Sequence, residues 1–347
     1  VALDRHGPDR KLVGAGDPFL ATPEYAGFVE GQPLTRGRPV TQLSVLADQL
    51  VGAGVLAVDG AVSADDSRHS RERALPTWKA AYLADREVGP LGALVVNDGW
   101  SAWTPGRAPA ADPALHAAAE LMRLAGAKGV AFSAATGIPR RASPPAEQVV
   151  LATARSAPLS ELVAAMLRES SNLAAELFVR ELGARTGEGT TAAGLVEVRR
   201  QLLARHLPLA GVELVDGSGL DVSNRATCEA LLAALLEASP QGPDRGLAGL
   251  TEGLAVAGRS GTLVNRMTRA PLAGRLRAKT GALDGVVALT GFVAGRREVM
   301  FAFVANGSFS TERGRVLQEQ VASALARFPD GPEPSLLRPP ANGPVAG

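Results

Sequence analysis

The chain has 347 residues, 46% of them apolar, with 36 basic and 35 acidic side chains and a formal net charge of +1. That length exceeds one ordinary domain and supplies ample apolar material for a core. Acids and bases are interspersed, which excludes the clustered basic footprint of a nucleic-acid binder, and no apolar run reaches the roughly 20 residues that span a bilayer.

In chain order, the first ninety residues read as short strands and turns. Lys11-Leu12-Val13-Gly14 runs into the turn Ala15-Gly16-Asp17-Pro18. A helix is expected over Val40 to Ala53, where Leu43, Leu46, Ala47 and Leu50 recur at helical spacing. Gly52 and Gly54 end it, and Val55 to Val58 follows as a strand. Residues 59–90 are polar and irregular, with Trp78 and Tyr82 as anchors. Gly92 to Val96 has the composition of a buried strand. Asp112 and Pro113 suit the cap and first position of a helix over Pro113 to Ala125. Val130 to Phe132 and Val149 to Leu151 are further strands, and Pro139, Pro144 and Pro145 between them suggest a connection near a domain boundary.

From Pro158 the pattern turns helical. Helices are expected over Leu159 to Leu167, Leu173 to Leu182, Ala193 to Arg205, Ala226 to Ala238 and Arg245 to Leu254. The only cysteine, Cys228, excludes an internal disulfide and is expected as a small buried apolar residue of its helix. Strands follow at Gly274 to Lys279, Val286 to Ala294 and Glu298 to Ala305, the last two joined by Gly295-Arg296-Arg297 as a hairpin. A last helix covers Glu312 to Ala326. The Pro- and Gly-rich stretch from Pro329 to Gly347 reads as a disordered tail. No internal repeat is present.

Three local patterns bear chemistry: Ser170-Ser171-Asn172 between two helices, Asp216-Gly217-Ser218-Gly219-Leu220, and Lys279-Thr280-Gly281 at a strand. Each has a plain structural explanation alone, as a helix cap, a turn and a strand edge. Their order carries more. Penicillin-recognising serine enzymes carry Ser-x-x-Lys, then Ser-x-Asn, then Lys-Thr-Gly. With the flanking words Leu254-Ala255-Val256-Ala257-Gly258, Gly261-Thr262-Leu263, Ala282-Leu283, Gly285-Val286 and Leu289-Thr290-Gly291-Phe292-Val293, the chain resembles the class C low-molecular-mass penicillin-binding proteins. These are serine-type D-alanyl-D-alanine carboxypeptidases and endopeptidases. Leu12 to Pro18 and Gly92 to Val96 carry the likeness into the first half, so it covers roughly residues 3–327.

The resemblance implies an α/β (α+β) architecture: a transpeptidase/β-lactamase-like domain with an antiparallel sheet beside a helical cluster. Residues 1–150 would be inserted small α/β subdomains, 151–327 the C-terminal part of the penicillin-binding domain, and 328–347 the tail. Ser170 would relay a proton to the leaving amine, and Asn172 would bond the substrate backbone. Lys279 would set a positive potential near Ser170 and the substrate carboxylate. Thr280 would donate to that carboxylate, Gly281 and Leu220 would line the binding site, and Ala282 would offer an oxyanion amide. The strand after Lys279 would pair with substrate as an added strand. Peptidoglycan stem peptides and β-lactam antibiotics are the implied partners, the implied location is extracytoplasmic, and no cofactor is implied.

The chain departs from the family pattern in places. Ala282 stands where a hydroxyl residue is usual, and Val222 where an arginine is common, with Arg225 a little further on. None of the four lysines, Lys11, Lys79, Lys128 and Lys279, follows a serine by three residues, so Ser-x-x-Lys does not occur. The chain opens Val1-Ala2-Leu3-Asp4-Arg5 and reads as an entry partway into a protein, ahead of which the nucleophile would lie. As written it is expected not to acylate, and a family sheet lacking its first strands is expected to leave an edge open. The four histidines, His6, His69, His116 and His206, have no metal-ligand spacing, which argues against a metal hydrolase. Asp216-Gly217-Ser218-Gly219 is not a Gly-x-Ser-x-Gly elbow, which argues against an α/β-hydrolase. The rival reading is a non-catalytic cell-wall peptide-binding protein on the same fold.

Overall fold

A computed structural model of the chain describes residues 1–6, 9–60, 62–133, 149–240, 242 and 250–331. The first half runs β1 (Ala2–His6), β2 (Asp9–Val13), β3 (Leu20–Ala21), α1 (Pro23–Gly31), β4 (Thr41–Gln42), α2 (Ser44–Gly52), β5 (Ala57–Val58), β6 (Val62–Asp65), α3 (Ala81–Ala84), β7 (Trp100–Ala102), β8 (Ala108–Pro109), α4 (Pro113–Gly126), β9 (Ala131–Phe132) and β10 (Val149–Thr153). The second runs α5 (Leu159–Glu169), α6 (Asn172–Arg185), α7 (Thr191–Ala204), α8 (Cys228–Glu237), β11 (Ala255–Val256), β12 (Leu276–Leu283), β13 (Val286–Ala294), β14 (Glu298–Asn306) and α9 (Thr311–Leu325).

Two four-stranded sheets organise the chain. One has the order β10-β1-β2-β6, antiparallel except for the parallel pair β2 and β6. Helices α2 and α4 cover it, and Leu12, Leu46, Leu50, Leu94 and Leu121 form its core. The other is antiparallel, in the order β11-β12-β13-β14. Along β13, Val287, Leu289 and Gly291 are buried in alternation, the period of a strand with one face on a core. That core holds Leu276, Leu289, Val293 and Phe301, with Ala322 and Ala326 reaching it from α9 and the residue after it. A third cluster joins the halves: Trp78, Tyr82 and Leu91 pack against Leu173 and Leu177 of α6 and against Leu220.

Most expected elements are present with edges moved by a few residues, and the hairpin between β13 and β14 is as expected. The differences have local causes. The helix expected from Val40 begins at Ser44, because Thr41 and Gln42 pair with Leu20 and Ala21. Gly92 to Val96 is buried but pairs as no strand; it is a connector whose Ala93 carbonyl accepts from the Gly16 amide. Helix α1 was not expected, although Thr22 caps it, with its Oγ1 accepting from the Tyr25 amide, and Pro23 opens it. That is the same cap grammar that marks Asp112 and Pro113 at α4. Strand β6 was also not expected. Cys228 is exposed, not buried: it stands in the first turn of α8, one residue after the cap Thr227, and the helix buries Ala230 and Leu235 instead. The connection around Pro139, Pro144 and Pro145, residues 245–249 of an expected helix, and the tail from 332 onward lie outside the described residues; residues 250–253 form a 3-10 turn. Strand β14 has one strand neighbour, β13, among the described residues.

Candidate active site

Helix α5 ends because Ser170 takes a left-handed conformation with φ of 58°, its amide donating back to the Met166 carbonyl. Helix α6 then begins at once, capped by Ser171, whose Oγ accepts from the Ala174 amide at 3.2 Å. Ser170 is thereby held on a sharp corner between two helices. Gly261 presses on that corner from the 3-10 turn between β11 and β12: a Cβ there would stand 2.1 Å from the Arg168 carbonyl oxygen, so only glycine fits.

Strand β12 brings Lys279 to the same corner. Its Nζ donates to Ser170 Oγ at 2.7 Å and to the Thr280 carbonyl at 2.6 Å. Among the described residues it has no carboxylate partner, and burial lowers its pKa to about 8. The Thr280 hydroxyl donates to Thr262 Oγ1 at 2.9 Å. On its outer edge β12 pairs with β11 only at Arg277 and Ala278, while its inner edge pairs with β13 along its whole length. From Lys279 to Leu283 the outer edge therefore has no strand neighbour among the described residues. Gly281 and the exposed Ala282 lie on this open stretch.

Asn172 reaches the site from the first turn of α6, and its Nδ2 donates to the Glu87 carbonyl at 2.9 Å. The segment from 81 to 90 therefore fixes this amide. A shallow groove of about 130 Å³ beside Ser170 and Asn172 is rimmed by Arg86 and Arg107. On the other side of β12 lies an apolar cavity of about 390 Å³, where Leu167, Leu235 and Leu254 surround Lys279, Thr280 and Thr290. A larger cavity, about 890 Å³, lies away from these residues, against Phe178 and Leu182 of α6.

The Asp216–Leu220 turn is held by two carboxylates, its own Asp216 and Glu176 of α6. Asp216 accepts from the Gly219 and Asp221 amides, from Asn224 Nδ2, and from Trp78 Nε1 at 2.9 Å. Glu176 is fully buried on α6; its Oε1 accepts from the Gly217 amide at 2.9 Å and the Ser218 amide at 2.8 Å. Burial raises its pKa to about 7 against the pull of those amides. Gly217 sits so close to α6 that a Cβ would meet the Ala175 carbonyl at 2.8 Å.

The structure thus brings Ser170, Asn172, Lys279 and Thr280 together, with Gly281 and Ala282 on the adjoining strand edge. Leu220 is set apart: its side chain is buried with Trp78, Tyr82 and Leu177, and its carbonyl accepts from the Tyr82 hydroxyl. Thr262, Glu87 and Glu176 were not picked out from sequence. Glu176 had a legible signal, a carboxylate on the buried face of an amphipathic helix; Glu87 acts through its backbone and had none.

A profile of the D-Ala-D-Ala carboxypeptidase 3 (S13) family matches residues 101–328, and the chain belongs to that family. A Mycobacterium tuberculosis protein named as a carboxypeptidase is 33% identical over 325 residues, covering 90% of this chain and 66% of that protein. Carboxypeptidase DacB of Mycolicibacterium smegmatis is 33% identical over 323 residues, with the same 90% and 66% coverage. The chain therefore spans just under two thirds of the length of these relatives. Among solved structures, penicillin binding protein 4 of Haemophilus influenzae matches with a TM-score of 0.74 at 19% identity, over 94% of this chain and 86% of that one. A predatory endopeptidase of Bdellovibrio bacteriovorus matches with a TM-score of 0.54 at 17% identity, over 95% and 81%. The expected mixed α and β fold is the fold of these proteins.

Proposed function

We propose that these residues form the substrate-receiving, proton-relaying part of a serine DD-peptidase acting on the D-Ala-D-Ala ends or cross-links of peptidoglycan stem peptides. The observation that carries this is the Lys279 ammonium held on Ser170 Oγ at the start of an open strand edge. An extended peptide pairs with that edge, its terminal carboxylate meeting Lys279 and Thr280. In the acyl transfer, a serine oxygen bonds to the scissile carbonyl carbon and the C–N bond breaks. The departing D-Ala amine takes up a proton through Ser170, and water later releases the acyl group. Asn172 orients the peptide backbone. The Ala282 amide stabilises the developing oxyanion. Gly281 gives the backbone close approach, and Leu220 shapes the site from behind through its packing on Trp78 and Tyr82.

The attacking serine of a Ser-x-x-Lys motif is not among these residues. Residues 1–150 are read as inserted subdomains and 151–327 as part of the penicillin-binding domain. The pairing of β1 with β10 supports this, since it closes the first half on itself. With a cell-wall substrate and β-lactam ligands, its proposed work belongs outside the cytoplasm. Among the described residues no helix is long and apolar enough to cross a membrane.

The absent motif also favours a second reading, a non-catalytic receptor for cell-wall peptides. Fluorescent penicillin separates the two. It is expected to label covalently an extended chain that carries Ser-x-x-Lys, and to leave the 347-residue chain unlabelled. An extended chain that binds D-Ala-D-Ala peptide without labelling supports the receptor. Labelling of the shorter chain would overturn the placement of the nucleophile.

A further inference from the structure

Two strained points of the backbone are tied together by one arginine. Asn97, Asp98 and Gly99 all have positive φ, at 58°, 54° and 80°, and Ser170 stands at 58°. For non-glycine residues such conformations persist only where their surroundings hold them. Arg38 lies between the two points with its side chain 6% exposed. Its Nη1 donates to Asp98 Oδ2 at 2.7 Å, and its Nε donates to Glu169 Oε2 at 2.8 Å. Glu169 is the residue before Ser170; its Oε1 is buried without a hydrogen bond, 3.6 Å from Arg168 Nη2, and the close bonds on this carboxylate come from Arg38.

The arginine is itself fixed. Its guanidinium lies 4.9 Å from the centre of the Phe19 ring. The Tyr25 hydroxyl donates to the same Asp98 oxygen at 2.9 Å, and the Thr22 amide donates to Asn97 Oδ1 at 2.9 Å. Burial works against the charge on Arg38, but Asp98 and Glu169 outweigh it and keep the guanidinium protonated. Arg168 adds a parallel link, its Nη2 donating to the Gly37 carbonyl at 3.4 Å. One short segment of the first half thus grips the end of α5 immediately before the corner that presents Ser170.

We propose that Arg38 is a positioning residue for Ser170: by bridging Asp98 and Glu169 it holds the corner after α5 in the conformation that meets Lys279. Its meaning for catalysis rests on the function proposed above, but the coupling itself needs no turnover to be seen. Planar, two-armed bonding is what the site uses, and a lysine cannot span both carboxylates.

The chain has only four lysines, so the titration of Lys279 is read directly by NMR of lysine labelled at Cε. The parent midpoint is expected near 8. Arg38→Lys keeps the charge, loses the bridge and adds a fifth lysine signal, recognised by its absence from the parent; Arg38→Met with Glu169→Gln loses the bridge with no net change of charge. In both, a loosened corner admits water to Lys279, and its midpoint is expected to rise by roughly one unit, with Lys11, Lys79 and Lys128 unmoved. An unchanged Lys279 midpoint in the folded variants overturns the proposal. Should the paired substitution fail to fold, Arg38→Lys decides alone. An extended chain that carries Ser-x-x-Lys, never acylates and yet shows the shift would sink the catalytic reading and leave this coupling standing.

Discussion

Lys279 Nζ lies 2.7 Å from Ser170 Oγ, across 109 positions of sequence, and the two residues come from different layers of the fold. The serine is held by a helix corner and the lysine by a strand, so each is placed by its own backbone before they meet. The lysine is desolvated without a carboxylate among the described residues to compensate it, which leaves part of its population neutral near neutral pH.

That desolvation gives stability a dependence on pH with a defined sign. The folded pKa of Lys279, about 8, is below its ordinary 10.5, so between these values the unfolded chain holds more protons. Stability therefore rises with pH across that window, and the burden of the buried ammonium is fully present below it. Lys279→Met is expected to flatten this rise and to stabilise the chain at pH 7 by up to about 2 kcal/mol. Urea unfolding from pH 7 to 10.5 checks it; an identical slope in parent and variant is the contrary result.

Glu176 has the opposite arithmetic. Its folded pKa, about 7, is above the ordinary 4.5, so the folded chain holds more protons between them. Stability from this group is complete below pH 4.5 and is lost as pH rises through 7. Glu176→Gln keeps an acceptor for the Gly217 and Ser218 amides and is expected to remove that loss, an effect of about 3 kcal/mol at most between pH 5 and 8. Glu176→Ala leaves both amides without their partner and is expected to destabilise at both pH values, by about 2 kcal/mol or more. Unfolding at pH 5 and pH 8 distinguishes the three chains, and a Gln variant that follows the parent's slope counts against the assignment.

Neighbouring serines are expected to respond in opposite directions. Ser170→Gly relieves a left-handed residue and is expected to be neutral or to stabilise by up to about 1 kcal/mol, while removing the group that meets Lys279. Ser171→Ala removes the α6 cap and is expected to destabilise by about 1 kcal/mol. Thermal unfolding of both variants tests this. Destabilisation by Ser170→Gly matching that of Ser171→Ala would mean that the corner is not strained.

The second sheet was legible because two apolar runs, Val286 to Ala294 and Glu298 to Ala305, flank a short Gly-Arg-Arg connection, which marks a hairpin without tertiary knowledge. Ser170, Asn172 and Lys279 were legible as ordered words. What escaped was long-range. Arg38 bonds Glu169 across 131 positions, and Asn172 bonds a backbone carbonyl across 85, so neither partner carries a local mark. Gly92 to Val96 misled because a buried connector and a buried strand have the same composition; only the absence of a pairing partner separates them. Cys228 misled because its type is buried on average, whereas the first turn of a capped helix faces outward here.

Because β1 and β10 lie side by side, the first 153 residues depart from and return to one place. Length gained or lost within them leaves the ends of the remaining chain where they were. The bonds described above from this half to the site and its supporting turn run through the Gly37 carbonyl, Arg38, the Glu87 carbonyl, Trp78 and Tyr82. The outer surface of this half is accordingly free to change so long as those attachments keep their spacing.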